Sequence, residues 1–289
     1  MSNRNKLNLV LLIIIIALIT IVIYKPGKET AITPPTLTTL DKNSITHIKI
    51  SRHSADPAER EIEFEKTSNG WVMLKPYPVS ANTFRIDSIL EILSAVSFSQ
   101  NSLEKLDLSK FGLTKPQATI TFNNKTTLHF GHNKSLNNHR YIQIGSTLHL
   151  SADTFFYQLA AKPESYINHK VLSEKNKIIK LTLPTIKLEK INTSWQATPK
   201  PESFSADAAN QLINEWRLSQ AYDVNKTKPN TKLKADIIIT LDNNKDINFK
   251  IEHAKNSFNL INLSTGFRYI LSSDRKDKLL TLPDVRQEK

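Results

Sequence analysis

Leu7 through Tyr24 reads "LNLVLLIIIIALITIVIY", eighteen residues without a charge. At about 1.5 Å per residue a helix of that length spans roughly 27 Å, close to a bilayer core. Four consecutive isoleucines leave no polar face for solvent, so the pattern predicts a lipid-facing helix. A cleavable signal sequence carries a shorter apolar region, about 7–15 residues, closed by a small-x-small site. This run ends Ile21-Val22-Ile23-Tyr24-Lys25-Pro26, which favours an uncleaved single-pass anchor. Arg4 and Lys6 precede it, and that bias puts the N-terminus in the cytoplasm and the remainder outside. Tyr24 sits where an interfacial aromatic would.

From residue 41 the hydrophobic period changes to two. "EIEFEK" (61–66) and "TIKLEK" (185–190) alternate apolar and polar residues, as half-buried strands do. Each is followed by a tryptophan, Trp71 or Trp195, then a Pro-x-Pro, then a helical period. In the first helix Ile86, Ile89, Leu90 and Leu93 fall at i, i+3, i+4 and i+7, with Ser80 or Asn82 as cap; in the second, Ala209, Leu212, Ile213 and Trp216 follow Ser205 or Asp207. Alternating segments then recur in the same order: 117–122 and 126–130 against 235–241 and 246–251, then 140–144 and 147–153 against 257–263 and 267–274. Short helices are predicted near 153–161 and 274–281.

The chain therefore reads as an internal duplication. The predicted class is α+β: an N-terminal transmembrane helix followed by two tandem, related units. Each unit is a mostly antiparallel sheet with one covering helix. Residues 1–24 form a cytoplasmic stub and anchor, 25–41 a Pro/Thr-rich tether, 42–172 the first unit and 173–289 the second.

Charge adds little specificity. The net charge is +12, with 30 Lys against 9 Arg. The lysines are scattered and often sit beside Asn, Asp or Glu. Phosphate recognition favours clustered Arg forks, so nucleic acid is not an expected partner. The chain has no cysteine, which removes disulfides, thiolate metal sites and cysteine nucleophiles.

Candidate chemistry is sparse. His129, His132, His139 and His149 crowd into a short stretch. Alternation sends His129, His139 and His149 to the polar face, and a three-residue turn at Gly145-Ser146-Thr147 would set His149 opposite Gln143. His139 then lies about 13 Å along its strand, too far to share an ion, whereas His129 and His139 can approach each other. His53 beside Ser54 and Asp56 has triad residue types, but a short polar loop cannot orient a buried triad. Glu61, Glu63 and Glu65 lie on one exposed strand face, whereas general acid catalysis needs a desolvated carboxylate. There is no Gly-x-Ser-x-Gly elbow and no Gly-rich phosphate loop. The expectation is no catalytic, cofactor-binding or metal residue and no identifiable small-molecule substrate. Trp71, Trp195 and Trp216 are read as core packing.

"FGLTKPQATITF", "LHFGHN", "HRYIQIGSTLHLSAD" and "YINHKVL" follow one another between residues 111 and 172. Phe111, Gly112, Leu113 and Pro116, then Gly131 and Tyr141, resemble the family called domain of unknown function 4340. "NGWVMLKP" upstream is also similar to it. The resemblance covers most of residues 45–172, with a weaker echo in 173–289, where "AYDVNKTKP" has no Gly-Leu. It implies membrane-anchored, exported proteins, many associated with ABC-type transport or gliding systems, and it brings no catalytic residues. On the residues alone, Phe111-Gly-Leu-x-x-Pro is a turn leading into an edge strand.

These readings converge on a single-pass protein of the bacterial inner membrane with a periplasmic domain. It would be a non-enzymatic accessory or scaffold with protein partners in the envelope. The alternatives are a module that binds an anionic polymer or lipid surface, and a hydrolase whose site is not legible.

Overall fold

The computed structural model describes residues 3–24, 34–53, 56–134, 138–173, 175–202 and 204–283. The apolar run forms helix α1 (Asn3–Tyr24). Its most apolar eighteen-residue window has a mean hydropathy of 3.1 and no buried residue. Among the described residues it is the one helix long and apolar enough to cross a membrane.

The first unit contains strands β1 (His47–Arg52), β2 (Glu61–Thr67), β3 (Gly70–Lys75) and β4 (Val79–Ser80), then helix α2 (Thr83–Leu90). Strands β5 (Ser99–Ser102), β6 (Ala118–Phe122), β7 (Thr126–Lys134), β8 (His139–Ile144) and β9 (Thr147–Ala152) follow, and helix α3 (Phe156–Leu159) closes it. The second unit runs β10 (Ile178–Thr182), β11 (Lys187–Ile191), β12 (Ser194–Thr198), α4 (Ala206–Arg217), β13 (Asp223–Lys226), β14 (Ile237–Leu241), β15 (Asp246–His253), β16 (Ser257–Asn262), β17 (Phe267–Ser272) and α5 (Arg275–Leu280).

Both sheets are antiparallel throughout. The first has the order β4-β3-β2-β1-β6-β7-β8-β9-β5, and the second has β12-β11-β10-β14-β15-β16-β17-β13. Matching strands by chain position makes the two orders the same, with β4 additional in the first. The duplication predicted from alternation is thus a duplication of fold. The tryptophan strand of each unit also ends at a cis X-Pro bond, Lys75-Pro76 and Thr198-Pro199.

Each covering helix forms for the reason its sequence suggests. Asn82 accepts the Arg85 N–H at 3.4 Å and Ser205 accepts the Ala208 N–H at 3.1 Å, satisfying donors the helix itself leaves unpaired. Ile86, Ile89 and Leu90 of α2, and Leu93 just beyond it, are buried, as are Ala209, Leu212, Ile213 and Trp216 of α4. Trp71 and Trp195 are buried in equivalent strands, and the Trp195 indole N–H donates to Asn210 on α4 at 3.1 Å. Trp216 donates to the Leu279 carbonyl at 2.9 Å and so ties α4 to α5.

Most buried apolar residues of both units form one continuous cluster. The segment between the units is part of this arrangement. Ala81 pairs with Ile167, and Lys170 pairs with Gln220. Backbone bonds run from Asn82 to Tyr166 (2.7 Å) and Asn168 to Ser80 (2.9 Å) on one side, and from Val171 to Ser219 (3.0 Å) and Ala221 to His169 (2.9 Å) on the other. Residues 166–171 therefore bond to both units as a shared connecting segment.

The expected tether at 25–41 divides in two. Residues 25–33 lie outside the described residues, while the chain from residue 34 is held against the first unit. Thr36 pairs with Val96, the Leu37 N–H donates to Ala95, Ser97 donates to the Pro35 carbonyl at 2.8 Å, and Leu37 is buried. Proline and threonine disfavour a core of their own, but they do not prevent an extended segment from pairing with an existing edge.

Candidate functional site

The carboxylates of β2 form a charge ladder with their neighbours. Lys75 lies 2.8 Å from Glu61 and 3.1 Å from Glu63, Lys49 lies 3.0 Å from Glu61, and His47 lies 2.8 Å from Glu63. The Lys75 hydrogen bond holds Glu61 below the usual carboxylate range, and the His47 bond does the same for Glu63. A general acid needs the opposite shift. These pairs suit a half-solvated sheet face.

The histidines do not converge. The β8–β9 register pairs Ile142 with His149 and Ile144 with Thr147, across a two-residue turn, Gly145-Ser146. The expected three-residue turn and the pairing of His149 with Gln143 are both corrected. Gly145, at φ 55°, allows the tighter turn. One residue of register moves a side chain to the opposite face, so His149 is buried, with Nδ1 3.0 Å from Ser97 Oγ. His129 does lie on the outer face, 3.2 Å from Thr119 Oγ1. Burial lowers the affinity of both imidazoles for a proton. His139 stacks on Phe98 with ring centroids 4.5 Å apart. His129 pairs with Gln143 and His139 with Lys134, so the two histidines stand roughly 13 Å apart along the strands and do not meet. Among the described residues no three His, Asp or Glu side chains gather as metal ligands. Ser54 and Ala55, part of the candidate triad loop, lie outside the described residues.

Phe111-Gly-Leu forms a packed turn. Gly112 ends a short 3-10 helix (Leu108–Phe111) at φ 69°, the left-handed region that glycine enters freely. A Cβ on Gly112 would meet the His132 ring at 2.3 Å, and one on Gly131 would meet the Phe111 carbonyl oxygen at 2.1 Å. The Phe111 and Tyr141 rings meet edge-on at 4.9 Å, and Leu113 is buried.

Beneath this turn lies a buried arginine that the sequence reading passed over. Arg140 makes two bonds to Asp153, Nε to Oδ1 at 2.6 Å and Nη2 to Oδ2 at 2.9 Å. Its Nη1 donates to the Gly131 carbonyl and to Gln117 Oε1, both at 2.5 Å, and its guanidinium covers the Phe156 ring at 3.6 Å. The signal was the face Arg140 shares with Ile142, where an uncharged residue is expected. This is a fork geometry satisfied within the protein, so it anchors structure and offers no free donor to a ligand.

A concavity lies at the junction. A groove of about 750 Å³ is lined by Trp71, Phe84, Asn168, Lys175, Gln220 and Tyr269, among others. It also takes in His169 and Lys170, and none of its described lining residues is a carboxylate. Phe84, on the first turn of α2, is 76% exposed there. Lys175 Nζ donates to Asn69 Oδ1. Close by, Tyr77 Oη donates to Glu164 at 3.0 Å, and Lys226 Nζ lies over the Tyr77 and Phe267 rings at 5.2 and 4.6 Å. Burial pushes the Tyr77 phenol up and the Lys226 ammonium down in pKa. No sequence pattern marked these residues, because they converge only through packing of the units.

No curated protein and no solved structure matches the chain. A family model does match, over residues 71–236. It starts at Trp71, later than the resemblance read from residue 45, and ends just before β14, so it crosses the junction into the 173–289 region where the motifs gave only a weaker echo. The match covers more than half of the chain, which belongs to the family described as Domain of unknown function (DUF4340).

Proposed function

We propose that this protein is a membrane-anchored, non-enzymatic accessory or scaffold subunit of a cell-envelope complex. Helix α1 sits in the bacterial inner membrane with the N-terminus in the cytoplasm, and the two-unit body works in the periplasm. An ABC-type transporter is the complex that the family resemblance suggests.

The observation that carries this reading is the junction groove on a braced body. A shared connecting segment and a common core hold the two units together, and the groove between them presents an exposed aromatic, amide side chains and lysines. The occupant that fits is an extended, acidic segment of a partner protein. Phe84 supplies a hydrophobic anchor, and Lys175 supplies complementary charge.

The test places a photo-crosslinking residue at Phe84 in the full-length protein in cells, with a second at Asn243, an exposed turn of the second unit. A single partner should be captured at position 84, absent at 243, and lost with Lys175→Glu. Equal capture from both positions, or persistence with Lys175→Glu, overturns the docking reading. Preferential capture of anionic envelope polymer would establish the polymer-binding alternative instead.

A further inference from the structure

The point where the tether joins the body lies beside an exposed aromatic side chain, Phe98. Ser97 donates its N–H to the Pro35 carbonyl, and Thr36 pairs with Val96. Phe98, the next residue, is 55% exposed and bonds through its own N–H to the Leu150 carbonyl. Its ring stacks on His139, whose cross-strand partner is the exposed Lys134. An exposed aromatic stacked on a strand whose partner carries an exposed lysine has the composition of an interfacial contact.

Chain length limits how far this surface can lie from the anchor. Ten residues, 25–34, join Tyr24 to Pro35. At full extension they reach at most about 3.3–3.6 Å each, roughly 35 Å in all. Phe98 is thus confined to a shell next to the membrane, where its effective concentration at the headgroups is high. Position in the sheets separates it from the groove. The entry point adjoins β5, one edge of the first sheet, whereas β4, the other edge, leads into the junction. In the second unit β13 is the edge near the junction and β12 the opposite one, seven strand spacings or roughly 34 Å away.

We infer that the β5 edge around Phe98 rests on the headgroup layer of the bilayer that holds α1, with the phenyl ring in the interface. This rests on the reading of α1 as an uncleaved membrane anchor. The contact orients the body so that the junction groove and β12 face away from the membrane.

The chain has no cysteine, so single cysteines can carry a bimane label. Gln100→Cys reports on the β5 edge and Gln196→Cys on β12, both at exposed positions. The full-length protein is reconstituted into phosphatidylcholine vesicles containing a lipid with a nitroxide headgroup. Position 100 should lose most of its emission and position 196 should keep it. Phe98→Ala in the Gln100→Cys background should restore emission, with an unchanged circular dichroism spectrum. Equal emission at the two positions in co-floating protein overturns the contact while the anchor stands. Quenching that survives Phe98→Ala removes the phenyl ring from the proposal and overturns it as stated. Failure of the protein to float with the vesicles overturns the anchor and this inference together.

Discussion

The rings of Tyr77 and Phe267 meet edge to face with centroids 5.6 Å apart, although one belongs to the first unit and the other to the second. Lys226 lies over both. Such a pair contributes about 0.5–1.5 kcal/mol beyond its area burial. Phe267 is also fully packed, so Phe267→Ala should cost about 3–5 kcal/mol. Tyr77→Ala should cost less, and the double variant should fall short of the sum because the two share a contact. Urea unfolding of the full chain in detergent, followed by tryptophan emission, checks this. Strict additivity would mean that the rings do not couple.

The duplicated tryptophans provide a matched pair. Trp71→Ala and Trp195→Ala should each destabilise by about 3–5 kcal/mol, as expected for a buried aromatic. Because one core runs through both units, either substitution should lower a single unfolding transition. Two separate transitions in differential scanning calorimetry, only one of them shifted, would contradict the common core.

Arg140 and Asp153 form a buried ion pair with two hydrogen bonds. Arg140→Ala leaves the Asp153 carboxylate without its partner and should cost about 3–5 kcal/mol. Arg140→Lys should recover little, since an ammonium cannot reproduce the fork to Asp153 while also reaching Gln117 and Gly131. Asp153→Asn together with Arg140→Met should be milder than Arg140→Ala alone. Chemical denaturation of the three variants ranks them, and full rescue by Lys would remove the geometric argument.

The histidines set a pH limb. Burial lowers the folded-state pKa of His149 and His129 below the unfolded value, about 6.5. The unfolded chain then binds more protons between the two values, so stability rises with pH across that window. Stability should be full above about pH 6.5 and should fall as pH drops through the folded values. His149→Gln should flatten this limb, while the loss tied to Glu61 and Glu63 should remain at lower pH, below about 4.3, where depressed carboxylates titrate. A limb unchanged by His149→Gln would assign it elsewhere.

The order of elements along the chain, the helix faces and the caps were legible because each follows from a local period or a single side chain. Ile86, Ile89 and Leu90, and likewise Leu212 and Trp216, point inward because their spacing leaves no other arrangement. His149 was misplaced because its face depended on a turn length, and Gly145-Ser146 and Gly145-Ser146-Thr147 look alike until the register is known. The groove was not legible at all. Trp71 and Tyr269 line it from opposite units, and nothing in either local segment encodes that meeting. The buried Arg140 stood between these cases, marked by its alternation with Ile142 but outweighed by the habit of reading arginine as surface.

The segment 166–171 also governs how the chain can be divided. Asn168 bonds back to Ser80, and Val171 bonds forward to Ser219. A cut after residue 172 would leave Ser219 and Ala221 of the second half without their backbone partners. A cut before residue 166 would strip Asn168 and Tyr166 from Ser80 and Asn82. The least unit that keeps every one of these bonds is the pair, so a fragment carrying either half alone would present a raw strand edge and a bared part of the common core. Recombination or proteolysis at the midpoint would then yield two sticky pieces in place of two working ones.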